Sequence, residues 1–220
     1  VPERLATRLA TKHHEEGVSI LCGVHIDSCT DRGVELEGGR FLQADLVIAA
    51  VGVVPNDELA GSTGLTVENG IRVDGQLMTD DPLIYAAGDC ATVRASDGIY
   101  RRYETWQNAQ AQGEVAGRNL AGGDARFDVP VWFWSDQYDL GLQGVGDTSG
   151  NPTVIRALGD GAEILFFLDG VGALVGAAGV GQGNAVAKDI KIAQRLIGAR
   201  VDAALLSDPA HNLKKTLRGA

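Results

Sequence analysis

The 220-residue sequence predicts an α/β chain whose last third turns α+β. Three observations carry that expectation. Two apolar, β-branched runs, Asp45-Leu-Val-Ile-Ala-Ala-Val51 and Leu83-Ile-Tyr-Ala-Ala87, each close on a glycine, as strands buried on both faces of a parallel sheet do. Helix-length amphipathic stretches lie around them. From Pro130 onward aromatics cluster and short strand-like segments follow closely.

The elements follow in order. Pro2 suits the first turn of a helix, Leu5 and Leu9 make an apolar stripe, and Gly17 can end the helix, predicted over 2–16. Val18–Cys22 reads as a strand. Short strands follow at His25–Cys29, Gly33–Glu37 and Arg40–Leu42, with Glu37-Gly-Gly39 as a turn. The buried strand Asp45–Val51 comes next, so this stretch reads as the second half of a βαβ nucleotide-binding domain. Pro55-Asn56 marks a turn before a short helix at Asp57–Gly61. Leu83–Ala87 is a second buried strand. A long helix follows within Arg101–Gly122, with Ala109, Gly113, Ala116 and Leu120 on one face. A boundary is predicted near residue 129. Beyond it come strands near Gly141–Val145, Val154–Leu158, Glu163–Leu168 and Ala173–Ala178, then helices at Gln182–Leu196, Asp202–Leu206 and Asn212–Leu217.

Composition excludes several classes. A hydrophobic content of 45% and a charged content of 22% are those of a globular chain. No apolar run is long enough to span a bilayer. The net charge of −10 argues against general nucleic-acid binding. Charge is uneven: residues 181–220 hold Lys188, Lys191, Arg195, Arg200, Lys214, Lys215 and Arg218 against three aspartates. A basic tail on an acidic body reads either as a docking surface for something negative or as a solvated face. Cys22, Cys29 and Cys90 form no close pair, which argues against a disulfide scaffold and against dithiol exchange and fits a reducing cytoplasm. No metal-ligand spacing is present, and His13-His14 point apart on their helix.

The chemistry-bearing residues begin with Ile84-Tyr-Ala-Ala-Gly88-Asp89. A strand running into Gly-Asp puts a carboxylate where α/β sheets bind ligands. Gly88 permits close backbone approach, and Asp89 can accept from sugar hydroxyls. A capped turn is the plain alternative. Val51-Gly-Val-Val-Pro55-Asn56 lies upstream. Tyr103-Glu-Thr-Trp106-Gln-Asn-Ala-Gln-Ala-Gln-Gly113 and then Pro130-Val-Trp-Phe-Trp134-Ser-Asp-Gln137 lie downstream.

In this order the motifs resemble FAD-dependent pyridine nucleotide–ferredoxin reductases of the putidaredoxin-, rubredoxin- and ring-dioxygenase-reductase type. The resemblance implies partial nucleotide-binding βαβ domains followed by a C-terminal reductase interface domain. Residues 1–51 would be the last part of an NAD-binding domain, 52–129 the returning part of an FAD-binding domain, and 130–220 an interface or dimerisation-like domain. It also implies that Gly88 and Asp89 meet the FAD ribityl chain and that Glu104 and Trp106 border the isoalloxazine. Trp134 would cover the flavin region, and Gly52 would approach the nicotinamide cofactor. Each has a plainer reading: Glu104 as a first-turn helix acid, Pro55-Asn56 as a turn only, and one of Trp132 and Trp134 as core with the other at the surface.

The implied function is FAD-mediated electron transfer from NAD(P)H, with NADH favoured, to an acidic [2Fe-2S] ferredoxin or rubredoxin-like acceptor that serves an oxygenase in the cytoplasm. The cofactor does the chemistry, so no catalytic side chain is required. Lys188, Lys191, Lys214, Lys215 and Arg218 are candidate docking residues, joined by Arg94, Arg101 and Arg102. The two Gly-x-Gly-x-x-Gly strings of the family are absent from the 220 residues, and Val1 is not an initiator Met. The expectation is therefore the C-terminal portion of a longer reductase. Gly179-Val-Gly181-Gln-Gly183 has the wrong spacing and reads as a turn into a helix. The alternatives are a truncated non-catalytic fragment or binding module, and a related NADH oxidase or nitrite-reductase-type flavoenzyme.

Overall fold

The computed structural model describes residues 1–95 and 98–218. The chain divides into two compact units, one of Thr7–Val54 and one of Val1–Ala6 with Pro55–Ala220.

Helix α1, Glu3–Glu15, starts where the Pro2 carbonyl accepts from the amides of Leu5 and Ala6. It buries Leu5 and Leu9. It stops at Gly17, whose φ of +84° lets the amides of Gly17 and Val18 bond back to the carbonyls of His14 and His13. In the smaller unit, β1 (Ile26–Thr30), β2 (Gly33–Leu36) and β3 (Arg40–Gln43) form an antiparallel sheet in sequence order. The turn Glu37–Gly39 closes β2 on β3.

Two predicted strands of this unit do not form. Val18–Cys22 and Asp45–Val51 have no ladder partner among the described residues, and Leu46, Ile48 and Val51 are 76%, 78% and 91% exposed. A parallel strand exists only through its neighbours. The apolar run is a sound signal for a buried sheet position, but these residues supply no adjacent strand to bury it.

In the larger unit α2 (Glu58–Ser62) follows Asp57. The Asp57 carboxylate does not cap that helix and instead accepts from the Gly70 amide at 3.1 Å. Strands β4 (Ile71–Val73) and β5 (Ala91–Arg94) pair in parallel, and β6 (Tyr100–Arg101) adds antiparallel to β5. This small sheet has no counterpart in the sequence reading. The predicted strand Leu83–Ala87 is a loop held by one bridge between Met78 and Tyr85. Leu83 is exposed, while Ala86 packs with Val73, Leu77, Ala91, Val93, Val115 and Ala116.

Helix α3, Trp106–Leu120, is capped by Thr105, whose hydroxyl accepts from the Asn108 amide. Its buried face is Asn108, Gln112, Val115, Ala116 and Asn119. Of the expected stripe, Ala116 is buried, whereas Gly113 and Leu120 are exposed. The face is turned because three amide side chains have partners inside. Asn119, for one, donates to the carbonyls of Gln76 and Ala125 at 2.9 Å each.

The C-terminal part is an antiparallel sheet of β7 (Trp132–Gln137), β8 (Leu140–Gly146), β9 (Val154–Gly159), β10 (Ala162–Leu168) and β11 (Leu174–Gln182), in the order β7-β8-β11-β10-β9. Asp160 and Gly161, with φ of 46° and 69°, turn β9 into β10 as Asp-Gly does in two-residue hairpins. Helix α4 (Ala187–Leu196) packs on β8 and β11, and α5 (Ala203–Ser207) packs on β9 beside α6 (Leu213–Thr216). Phe166, Ile164, Leu174, Ile190, Leu196, Leu206 and Leu213 are the centre of this core.

Gly179 and Gly181 are not in a turn. They lie inside β11, where a Cβ on Gly179 would sit 2.8 Å from the Glu163 carbonyl oxygen and one on Gly181 would sit 2.8 Å from the Ala162 Cβ. Their spacing answers close packing of the sheet. Helix α4 consequently starts at Ala187 rather than near Gln182.

One buried charge organises the C-terminal segment. Arg156 on β9 donates to the carbonyls of Leu206, Asp208, Pro209 and His211 at 3.2, 2.6, 3.4 and 2.7 Å. Its Nε lies 3.6 Å from the Asp189 carboxylate.

Candidate cofactor site

The loop after Ala87 and the start of α3 come together in the larger unit. Gly88 is buried at φ +87°, a conformation that suits glycine. Its amide donates to Gln112 Oε1 at 2.7 Å. Gln112, fully buried, donates through Nε2 to Asn108 Oδ1 at 3.2 Å, and Asn108 Nδ2 donates to the Tyr103 carbonyl at 2.9 Å. This amide chain ties the Gly88 loop to the segment leading into α3. Satisfied buried amides of this kind hold one arrangement, because any other leaves a polar group unpaired.

A second tie runs through Arg102. Its Nη1 donates to the Asp89 carbonyl at 3.1 Å and pairs with Glu104 Oε1 at 2.6 Å, while Nη2 donates to Asn69 Oδ1 at 3.3 Å. The Asp89 and Glu104 residues thus share one guanidinium. Arg102 is therefore not the exposed docking residue expected from its charge: only 9% of its side chain is accessible. A buried guanidinium is held by such partners.

The remaining predicted residues are placed as follows. Asp89 is exposed beside Gly88. Glu104 is at the surface just before the Thr105 cap, and Trp106, 70% exposed, begins α3. Trp134 on β7 is 43% exposed and stacks on Trp132, centroids 4.8 Å apart at 24°. Trp132 packs on the C-terminal core and shares a small cavity wall with Gln107, Asn108 and Ala111 of α3. Gly52 belongs to the smaller unit, at φ +99° with open space at its Cβ position. Lys188 and Lys191 are exposed on α4, Lys214 and Lys215 are exposed on α6, and Arg218 is exposed just beyond it.

Gln112, Asn108 and the inward use of Arg102 were missed from sequence. The available signal was the i, i+4 spacing of Asn108 and Gln112 beside the small Ala109, which packs 3.5 Å from a Cβ placed on Gly88. Among the described residues no group of three His, Cys, Asp or Glu could hold a metal ion, and no helix is long and apolar enough to cross a membrane.

Residues 1–113 match the family described as pyridine nucleotide-disulphide oxidoreductase, and residues 132–217 match the reductase C-terminal family. The chain belongs to the pyridine nucleotide-disulphide oxidoreductase family. Among solved structures it is similar to the ferredoxin reductase for the CYP199A2 system from Rhodopseudomonas palustris, at 34% identity and TM-score 0.87, covering 99% of this chain and 55% of that one. It is similar to putidaredoxin reductase in its covalent complex with putidaredoxin, at 32% identity and TM-score 0.85, covering 100% of this chain and 55% of that one. A NAD-dependent persulfide reductase from A. fulgidus matches at 25% identity and TM-score 0.81, covering 100% of this chain and 47% of that one. The chain spans about half the length of these structures.

Proposed function

We propose that this chain contributes the flavin-facing and partner-facing part of a ferredoxin reductase, in which FAD takes a hydride from NAD(P)H and releases electrons singly to a small iron–sulfur protein. The observation that carries the reading is the double tie between the Gly88-Asp89 loop and the Tyr103–Trp106 segment through Gln112 and Arg102. The residues suit the group. Asp89 offers an exposed carboxylate to ribityl hydroxyls, Gly88 removes a side chain from the approach, Trp106 is largely exposed, and Trp134, stacked on Trp132 on one side, is partly exposed. Glu104 shares the Arg102 guanidinium with the Asp89 carbonyl. The division into residues 1–51, 52–129 and 130–220 as NAD-domain, FAD-domain and interface parts is part of the proposal, as is Gly52 at the nicotinamide.

FAD supplies the hydride-to-single-electron conversion. The chain's own work is to orient the ring system and shield it from water. No side chain has to move a proton. The exposed lysines of α4 and α6 with Arg218 are the surface proposed for an acidic ferredoxin, since electron-transfer encounters are brief and electrostatically steered. The likeness to the putidaredoxin reductase in its complex supports a partner of that chemistry.

The test is reduction of protein-bound FAD by NADH, read as bleaching of the visible flavin absorption, followed by transfer to a [2Fe-2S] ferredoxin. Bleaching and transfer, both weakened by Asp89→Ala, are expected. Bound FAD that NADH leaves oxidised overturns the reading.

A further inference from the structure

We propose that Arg102 is a positioning residue for the flavin: it locks the Asp89 turn to the Glu104 carboxylate and neutralises that carboxylate where it borders the ring. The inference rests on the reductase reading above. Four observations lead to it. The Arg102 side chain is more than nine-tenths buried, yet its ion-pair partner Glu104 is 37% exposed, so the pair presents its carboxylate outward and keeps its cation beneath. One guanidinium joins three separate segments, at Asn69, Asp89 and Glu104. The Asn69-Gly70 turn lies close against it: Gly70 has φ +113°, and a Cβ there would lie 3.0 Å from Arg102 Cδ, 2.7 Å from Thr92 Oγ1 and 2.8 Å from the Cys90 carbonyl oxygen. Finally, Arg102 Nε is buried with no hydrogen-bond partner. A buried unpaired donor is costly, so the bonds of the two Nη groups carry the burial of this guanidinium.

The electrostatic consequence has a definite sign. Reduction adds negative charge to the flavin, and an unneutralised Glu104 would oppose it. Arg102→Gln removes the cation and leaves the carboxylate. Arg102→Gln with Glu104→Gln removes both and restores the local charge. Arg102→Lys keeps the charge but loses the planar fork that reaches several acceptors at once.

The experiment compares wild type, R102Q, R102K, E104Q and the R102Q/E104Q double variant. It reads the FAD dissociation constant by flavin fluorescence, the midpoint potential by spectroelectrochemistry, and amide exchange at residues 88–92 and 103–108 without FAD. R102Q is expected to weaken FAD binding and move the two-electron equilibrium about tenfold toward the oxidised form, a fall of about 30 mV. The double variant should return most of that shift, and R102K should hold the potential while losing exchange protection in both segments. An R102Q protein with unchanged potential and unchanged exchange overturns the proposal. If R102Q does not fold, R102K and E104Q decide it: a potential that E104Q does not raise overturns it. Wild type that takes up no FAD means that the flavin site needs more than these 220 residues, and exchange in R102Q and R102K then decides the lock alone.

Discussion

The amide of Gly88 and the side-chain carbonyl of Gln112 lie 2.7 Å apart, both buried, 24 residues apart in sequence. This bond sets the loop that carries Asp89 against α3. Gln112→Leu keeps the volume and removes the acceptor. It orphans the Gly88 amide and the Asn108 carbonyl oxygen, which should lower stability by about 1–3 kcal/mol in urea denaturation. An unchanged midpoint would mean that the Gly88 amide finds another partner.

Arg156 should matter more. It serves four carbonyls and sits beside Asp189. Arg156→Met fills similar space without donors, and a loss of about 3–5 kcal/mol is expected, the range for removing one partner of a buried charge network. Residues 206–211 should lose amide-exchange protection in the same variant.

Two glycine substitutions should move stability in opposite directions. Gly176→Ala puts a methyl about 1.8 Å from the Asp147 carbonyl oxygen, so backbone must shift. A cost of about 1–3 kcal/mol or more follows. Gly113→Ala, on the exposed face of α3 with nothing within 4 Å of its Cβ position, should gain about 0.5–1 kcal/mol from helix propensity. Thermal melts of the pair check both signs.

Asp147 gives a pH prediction. Hydrogen bonds from Ser149, its hydroxyl first and its amide at 2.9 Å second, hold the carboxyl below its usual value of 3.8. A depressed folded-state pKa adds stability that is complete above the unfolded value and disappears as pH falls through the folded one. Asp147→Asn should therefore lower stability at neutral pH and shrink the difference from wild type below about pH 4. Urea midpoints between pH 2 and 7, on the order of that span, measure it.

For the basic tail, Lys214→Glu with Lys215→Glu should slow ferredoxin reduction and reduce its dependence on ionic strength, leaving NADH-to-flavin reduction intact. Stopped-flow rates at several salt concentrations decide this. Unchanged rates would remove α6 from the docking surface.

Four of the five strands of the C-terminal sheet were legible because short apolar runs are set apart by turns such as Asp160-Gly161, whereas β7 was seen only as an aromatic cluster. The strands Val18–Cys22 and Asp45–Val51 were not, because their pattern describes neighbours and these residues bring none to the ladder. Gly179 and Gly181 misled for a different reason: a glycine in a turn and one under a crossing side chain look alike in sequence. At the candidate site the motifs picked out Asp89 and Glu104. The groups that hold them, Arg102 and Gln112, have side chains whose ordinary place is the surface. Their burial comes from long-range partners that no local pattern encodes.

The glycines of the C-terminal sheet have a kinetic meaning as well. β7 and β8 form one hairpin, and β9, β10 and β11 form a meander, both from local contacts. The seam between them is β8 against β11, paired from Gly176 opposite Gly146 to Gln182 opposite Leu140, and rich in glycine on both sides. Chain entropy must be given up to close that seam, and glycine gives up the most. Joining β8 to β11 therefore closes the longest loop of this sheet, and at Gly146 with Gly176 and Gly141 with Gly181 the two strands meet backbone to backbone.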